Sequence, residues 1–312
     1  MNSNINKVAL VIIYNHQFNK NIEILERIYK DRFTNIFHLV PFYEGKKSNV
    51  IPVYESSFYF QGYVAQGYKS YFHKDFTHYF FIADDLILNP VINEKNYFLH
   101  LKLGHDTCFI PRLSPINESK EYWSLNISAL LYNIQSPGVE AKTQLPDFNE
   151  GTQLLKNFGI ENKPLKFNQL WETPGSFKDW YTKIKEEKMY LLRFLKNRIT
   201  KKKYILSYPL VRSYSDIFVV SADALEKFCH YCGVFASTKL FVELALPTSM
   251  IFSANAISTE KDLLLTGKAL WTKKDYAFLD KYDNNLKKLL DDFPADCLYI
   301  HPVKLSRWNT SL

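Results

Sequence analysis

One stretch constrains the fold of this chain more than any other. The residues from His78 to Ala83 are aromatic or aliphatic after the first, and they run directly into two adjacent carboxylates, Asp84 and Asp85. A short apolar run bounded by charge predicts a strand that is buried on both faces, which is typical of a parallel sheet. Because open α/β folds bind their ligands at the carboxyl ends of such strands, the pair is expected at a ligand-binding edge.

Two interpretations of the aspartate pair stay open from the local sequence. Buried carboxylates are costly unless a cation, hydrogen-bond donors or water compensate their charge. A divalent metal that carries a phosphate-bearing substrate would supply such compensation. The alternative is a helix N-cap or a turn, which Asn89-Pro90 favours because proline removes a donor and restricts the residue before it.

Composition narrows the class of protein. A chain of 312 residues is long enough for one large or two small domains, and its 46% hydrophobic content argues against disorder. The net charge of +7 fits a partner that bears phosphates, such as a nucleotide, a nucleic acid or an anionic lipid. The lone C-x-x-C of Cys229 and Cys232 lies in a helical pattern and predicts buried helix cysteines. With no 18-residue apolar run and no secretory leader, a cytoplasmic location is expected.

The first ninety residues alternate between strand and helix patterns. Runs rich in β-branched and aromatic residues predict strands over Lys7–Tyr14, Phe33–Val40 and Val50–Tyr54. Helical spacing of apolar residues predicts a helix over Asn21–Tyr29 and another that carries Phe60, Val64 and Tyr68. This alternation predicts a mostly parallel sheet flanked by helices. The first strand is not followed by G-x-G-x-x-G or by a P-loop, which argues against a dinucleotide oxidoreductase and a P-loop NTPase.

The rest of the chain divides at changes in periodicity. Residues 1–110 form the predicted first part, 111–206 a mainly helical and looped insertion, and 207–312 a third part. Within the insertion, Lys183–Lys203 is strongly basic with interleaved apolar residues; it predicts a solvated amphipathic helix or, alternatively, a docking surface for an anionic membrane. The third part is expected to contain a strand at Asp216–Val220, a helix at Ser221–His230, one amphipathic helix over Lys273–Asp292 and a final strand-like run.

Two polar positions in this third part are candidates for chemistry. Glu243 is the one charge within the apolar run Leu240–Pro247, and it is either a salt-bridged core residue or a general base with a raised pKa. His301 closes the last apolar run and could meet a metal, while Lys304 could reach a phosphate.

Taken together, several of these features resemble a known family. The strand from Val8 to Tyr14, the Asp84-Asp85 pair, the late acidic helix and the terminal His301-Pro-Val-Lys look like a GT-A-type glycosyltransferase of the bacterial capsule and lipopolysaccharide kind. The resemblance covers the first and last hundred residues. It implies a Rossmann-type GT-A fold, Mn²⁺ or Mg²⁺ as cofactor, a nucleotide-sugar donor such as a UDP-sugar, and a glycan or lipid-linked acceptor. It also implies a cytoplasmic enzyme, either free or at the cytoplasmic face of the inner membrane.

The resemblance assigns roles to individual residues. The metal would be held by Asp85, with Asp84 as a second ligand or a sugar-hydroxyl contact, and by His301. The aspartate motif departs from the family form, because Ala83 fills its first acidic position. Glu243 would be the acceptor-activating base in an inverting reaction. Nucleoside contacts at the ends of early strands would come from Tyr14, Asn15 and Glu55. Lys304 would contact a phosphate.

Other functions are less well supported by the sequence. A phosphatase with an aspartate nucleophile at a strand end requires the motif D-x-D-x-T, and the residues from Asp84 onward lack its second acid and its threonine. A sugar nucleotidyltransferase requires a glycine-rich, arginine-containing loop after the first strand, and Asn15–Asn19 contains neither residue type. The alternative from a different class is a non-enzymatic binder of nucleic acid or of an anionic membrane surface. Because most aromatic residues fall in core-like runs, nucleic acid is not the expected partner.

Overall fold

The architecture is α/β, with a seven-stranded, mostly parallel mixed sheet flanked by helices. The computed structural model describes residues 7–118, 123–134 and 140–312. The strands, numbered in chain order, are β1 Lys7–Ile13, β2 Asn35–Pro41, β3 Val50–Val53, β4 Phe76–Ala83, β5 Ile87–Leu88, β6 Thr107–Phe109, β7 Ser114–Pro115, β8 Val211–Arg212, β9 Ile217–Ser221, β10 Ala256–Ser258, β11 Thr266–Ala269 and β12 Cys297–His301. The α-helices are α1 Lys20–Tyr29, α2 Gln61–Tyr71, α3 Tyr97–His100, α4 Trp123–Leu131, α5 Phe148–Asn157, α6 Phe167–Leu170, α7 Phe177–Glu186, α8 Tyr190–Thr200, α9 Ala222–Ser237, α10 Val242–Ser253, α11 Lys273–Tyr276 and α12 Leu286–Asp291.

The main sheet has the order β10-β6-β9-β4-β1-β2-β3, and β4 lies in its middle. Strands β1 to β4 run parallel, as the alternating pattern predicts, whereas β9 runs antiparallel to β4. The aromatic run of β4 is buried on both faces, and the prediction of an inner strand is confirmed.

Alternate residues of β1 supply the cores on the two faces of the sheet. Val8, Leu10 and Ile12 pack toward α1, while Ala9 and Val11 pack toward α2 and α9. This alternation is the period-two geometry of a strand, and it explains why the run is apolar at every position.

A second, three-stranded sheet has the order β11-β12-β5. Its central strand β12 pairs antiparallel with β5, with Tyr299 opposite Leu88 and Ile300 opposite Ile87. Since β5 begins two residues after Asp85, this sheet attaches the end of the chain to the carboxyl end of β4.

The insertion is more helical than its weak periodicity indicates. Helices α4 and α5 share a core with α9 and α10. The basic stretch Lys183–Lys203 was predicted as one helix, and the structure divides it between α7 and α8. The helical cysteines are confirmed, because Cys229 and Cys232 are buried in α9 as free thiols.

The prediction of one helix over Lys273–Asp292 is wrong. The structure has α11, a 3-10 helix at Ala277–Tyr282 and then α12, and the break between the last two contains Asp283 and Asn284 with positive φ angles of 52° and 51°. Asp and Asn adopt this left-handed conformation more easily than other side chains, so the chain turns where the periodicity continues. Within the described ranges, the helices are all too short or too polar to cross a bilayer.

Candidate active site

The candidate site lies where the chain reverses its direction of travel across the sheet. From β1 the chain moves outward to β2 and β3, and it then returns to form β4 on the other side of β1. The carboxyl ends of β1 and β4 therefore lie at the point where the strand order changes direction, which is the usual place of the ligand site in an open α/β sheet. Asn15 and Asp84 follow these two strands closely.

Asp84 is held against the segment that follows β1. Its carboxylate accepts a hydrogen bond of 2.9 Å from the side-chain amide of Asn21 and another from the backbone N–H of Asn15. Only 4% of the residue is exposed. Burial and the neighbouring charge of Asp85 raise the pKa of Asp84 to about 7, against those hydrogen bonds.

Asp85 faces the other sheet, and the structure brings it against His301. The imidazole Nε2 of His301 lies 2.9 Å from Oδ1 of Asp85, and the backbone N–H of Val303 donates to the Asp85 carbonyl at 2.7 Å. The register of β5 and β12 explains the contact, since continuing it by one residue puts His301 opposite Leu86. With 23% of its side chain exposed, Asp85 is more accessible to an ion than Asp84.

A third carboxylate reaches the same place from β9. Ala83 donates its backbone N–H to the carbonyl of Asp216 at 2.9 Å, and Oδ1 of Asp216 lies 4.0 Å from Nε2 of His301. The hydroxyl of Tyr214 lies 2.5 Å from Nδ1 of His301, and it interacts electrostatically with the carboxylate of Asp216. Asp85 and Asp216 thus both lie within 4.0 Å of one imidazole, and the charge of Asp84 acts on it from farther away.

The protonation of His301 follows from these partners. Burial opposes a charged imidazole, but the hydrogen bond to Asp85 and the charges of the three aspartates outweigh it, and the pKa of His301 is raised. When the imidazole is protonated, its Nδ1–H donates to the Tyr214 oxygen and its Nε2–H donates to Asp85.

Glu243 lies in the first turn of α10 and belongs to this electrostatic group. Its burial and the charge of Asp216 raise the pKa of Glu243 to about 7, although Arg112 and Arg212 act in the opposite direction. The carbonyl of Glu243 accepts the backbone N–H of Ser213 at 3.1 Å, which ties α10 to the segment before β9. Its carboxylate makes no hydrogen bond to the described part of the chain, so it keeps its capacity to accept a proton.

The residues predicted to contact the nucleoside do not lie together in the structure. Tyr14 is fully buried, and its hydroxyl is 3.0 Å from Nδ1 of His38, so its ring is not open to a ligand. Asn15 is half-buried beside Asp84. Glu55 follows the outermost strand, about 14 Å from β4 by strand spacing, and its carboxylate pairs with Lys239 at 3.0 Å. Lys304 is exposed, three residues after His301.

The sequence did not predict several residues of the site. Asp216 and Tyr214 carried no local signal beyond a strand start, and Arg112 is an exposed cation whose charge lowers the pKa of Glu243 and of Glu260. Two exposed aromatic rings also stand at the carboxyl ends of β2 and β3. These are Phe42 and Tyr54, 57% and 62% exposed, whose rings contact edge-to-face with centroids 5.8 Å apart.

The side chains at the site supply part of the coordination shell that a hard divalent cation needs. Within the described ranges, no group of three or more His, Cys, Asp or Glu side chains is arranged to hold a metal ion. Mg²⁺ nevertheless uses one or two protein carboxylates in many enzymes and completes its shell with substrate phosphates and water. Asp85, with 23% of its side chain exposed, and the more deeply buried His301 fit that incomplete set. Burial, and after it the charge of Asp85, raises the pKa values of Asp84 and Asp216, and a cation bound to Asp85 would relieve the second of these effects.

Comparison with protein-family models and with curated proteins finds no match for this chain. The geometry of the site therefore carries the functional argument.

Proposed function

We propose that the protein is a metal-dependent glycosyltransferase with a GT-A-like fold, which transfers a sugar from a nucleoside-diphosphate donor, such as a UDP-sugar, to a glycan or lipid-linked acceptor. The observation that carries the proposal is the contact of Asp85 with His301, with Asp216 beside them, at the sheet edge where α/β folds bind nucleotides. The resemblance of the two chain ends to bacterial surface-polysaccharide enzymes supports the same conclusion.

In this proposal Asp85 and His301, after His301 loses its Nε2 proton, would hold Mn²⁺ or Mg²⁺ together with the donor diphosphate. When bound, the ion would supply positive charge to the leaving diphosphate. Asp84 is nearly inaccessible and holds the loop after β1 through Asn15 and Asn21, so its part is to keep that loop in position.

Further positive charge comes from two exposed side chains. Lys304 lies just beyond His301, and Arg112 lies near Glu243 and Glu260. Cations positioned where negative charge develops in the transition state are among the most effective catalytic devices, because they need not reorganise as the bond breaks. Arg112 and Lys304 therefore belong to the proposed diphosphate-binding group.

Glu243 is the proposed general base. A carboxylate with a pKa of about 7 is ionised in a useful fraction near neutral pH and is basic enough to take the proton of an acceptor hydroxyl. Attack by that hydroxyl from the face opposite the diphosphate inverts the anomeric carbon. Retention of configuration in the product would remove this role from Glu243.

The nucleoside would bind nearer to β2 and β3. Phe42 and Tyr54 present exposed rings at that part of the edge, and aromatic rings stack on every base. The buried ring of Tyr14 cannot take this role without a rearrangement, and Glu55 is engaged by Lys239.

The test is thermal stabilisation by nucleoside diphosphates in the presence and absence of Mn²⁺. We expect UDP or another diphosphate to raise the melting temperature only when the metal is present, and the Asp85→Asn variant to lose that increase. The matched control is Asp280→Asn, a change in the 3-10 helix at Ala277–Tyr282. Stabilisation by single-stranded oligonucleotide without metal, and none by diphosphates, would contradict the proposal and favour a nucleic-acid binder.

A donor panel identifies the substrate. Each nucleotide sugar is incubated with protein and Mn²⁺, and the released nucleoside diphosphate is measured. An Asp85→Asn variant with wild-type turnover would remove the basis of the proposed chemistry.

A further inference from the structure

Helix α8 has apolar residues on two opposite faces. On the inner face, Tyr190 is fully buried, and the ring of Phe194 lies 4.8 Å from that of Trp180. On the outer face, Leu192, Leu195 and Ile199 are 59%, 44% and 82% exposed. Their spacing of three and then four residues aligns them along one side of the helix, opposite the packed face. We call these three residues the outer stripe.

Exposed aliphatic residues usually occur singly on a protein surface, and a continuous line of them marks an interaction site. The inner face already has aromatic partners in the insertion, so packing of the helix does not require the outer stripe to be apolar. The stripe therefore calls for something outside the monomer that covers it.

The charge around the stripe indicates what that partner is. Helical geometry puts Lys196 on one side of the stripe and Arg198 on the other, and Lys201, Lys202 and Lys203 follow the helix directly. Residues 183–203 contain nine Lys or Arg and two Glu, a net charge of +7. The whole chain also has a formal net charge of +7, so the remainder is balanced.

We propose that α8 is a docking surface for an anionic phospholipid bilayer, in which the outer stripe enters the headgroup region and the flanking cations contact lipid phosphates. An interfacial helix has this composition, with large aliphatic residues on one face and Lys or Arg at its borders. The cations attract the helix to negatively charged lipid, and the stripe anchors it by burial of apolar surface. The inference does not depend on the proposed transferase activity.

The cations around the end of α8 support the choice of an anionic partner. Lys166, Arg198 and Lys201 to Lys203 lie around a cavity of about 400 Å³, whose lining also includes the rings of Phe167 and Phe194 from the inner side. Phosphate groups at the surface of a bilayer match this concentration of cations. A second copy of the chain does not, since its own α8 would bring the same positive charge against it.

The test is co-sedimentation of the full chain with vesicles of phosphatidylcholine alone or with about one-third phosphatidylglycerol. We expect binding to the anionic vesicles only, with a decline as NaCl rises from about 0.05 to 0.5 M. A triple Leu192→Ser, Leu195→Ser, Ile199→Ser variant should bind about 100-fold more weakly. The triple Lys196→Gln, Arg198→Gln, Lys203→Gln variant should lose a similar factor.

Matched triple variants at other exposed positions control for surface polarity and for net charge. Val91→Ser, Leu99→Ser, Leu264→Ser removes three exposed aliphatics elsewhere, and Lys30→Gln, Lys46→Gln, Lys95→Gln removes three exposed cations elsewhere. Both should bind anionic vesicles like the wild type. The single Ile199→Ser variant, at the most exposed of the stripe positions, serves if the triple variant does not fold.

Three outcomes would overturn the inference. The first is equal binding to neutral and anionic vesicles, or none to either. The second is a dimer in solution that the outer-stripe variant converts to a monomer, which would assign the stripe to self-association. The third is binding of a single-stranded oligonucleotide that competes with vesicles and depends on the same cations, which would assign the surface to nucleic acid.

Discussion

The imidazole Nε2 of His301 lies 2.9 Å from Oδ1 of Asp85, although 216 residues separate the two in the chain. The pairing of β5 with β12 fixes this distance, because β5 begins two residues after Asp85 and β12 ends at His301. The other ring nitrogen is held by the hydroxyl of Tyr214. Both nitrogens thus have defined partners, and the ring orientation is set before any ligand arrives.

We predict that Tyr214→Phe weakens metal binding while leaving the maximum rate nearly unchanged. Loss of the hydroxyl removes the partner of Nδ1, so the imidazole is free to rotate, and such outer contacts typically change metal affinity by about 10- to 100-fold. The measurement is donor turnover as a function of Mn²⁺ concentration. The half-saturating concentration should rise, and turnover at saturating Mn²⁺ should approach that of the wild type.

Tyr276→Phe, at an exposed tyrosine of α11, is the matched control and should leave the Mn²⁺ dependence unaltered. If Tyr214→Phe instead lowers the maximum rate at every metal concentration and leaves the half-saturating concentration fixed, Tyr214 does not position a metal ligand.

We predict that the rate constant kcat/KM rises with pH up to about pH 7 and is constant above it. The carboxylate of Glu243, with its pKa raised to about 7 by burial and by Asp216, accepts a proton only when it is ionised, which is above that pH. Glu243→Gln should lower the rate by about 10²- to 10⁴-fold and flatten the profile. A Gln variant with the wild-type rate and profile would assign Glu243 a structural part only.

The sequence predicted that Asp84 and Asp85 lie at the carboxyl edge of the sheet, because they directly follow an apolar run that is typical of a buried parallel strand. It did not predict Asp216, and strand direction is the reason. In a parallel strand, the residue before the first strand position lies at the amino edge, far from Asp84. Because β9 is antiparallel to β4, Asp216 comes instead beside Ala83 at the carboxyl edge. Direction is a property of the tertiary fold, and the local pattern of β9 does not encode it.

The contact between Asp85 and His301 was expected only as a consequence of a family resemblance. Physical reasoning about the sequence found a histidine at the end of an apolar run but not its partner. The two-residue strand β5 is too short to be recognised as a strand, and its pairing with β12 is what joins the ends of the chain. The exposed rings of Phe42 and Tyr54 were also unrecognised, since strand-end aromatics look the same in sequence whether they are buried or exposed.

The raised pKa of Glu243 also predicts how the stability of the folded protein depends on pH. Its folded-state pKa of about 7 lies above the ordinary value near 4.3, so the folded protein binds the proton more tightly than the unfolded chain does. The stability that protonated Glu243 contributes is fully present below about pH 4 and is lost as pH rises through 7. Glu243→Gln removes this loss and should be more stable than the wild type at pH 8 by about 1–3 kcal/mol.

Thermal unfolding in EDTA and without nucleotide measures the effect. The two proteins should melt at similar temperatures at pH 4.5, roughly the lower end of the titration, and the Gln variant a few degrees higher at pH 8. Glu161→Gln, at an exposed glutamate, should follow the wild type at both pH values. A Gln variant that is less stable than the wild type at pH 8 would mean that ionised Glu243 is paired in the folded protein.

The last prediction concerns the two exposed rings at the ends of β2 and β3. Stacking of a base on an aromatic side chain is worth about 1–3 kcal/mol, so Phe42→Ala or Tyr54→Ala should raise the KM for the nucleotide sugar by about 10-fold. The value of kcat should stay close to that of the wild type, because neither ring is near the reacting carboxylates by strand order. Phe72→Ala is the control, since this exposed ring follows α2 and precedes β4 at the opposite edge. Direct titration with UDP and Mn²⁺ separates binding from turnover, and unchanged UDP affinity in both strand-end variants would place the nucleoside elsewhere along the edge.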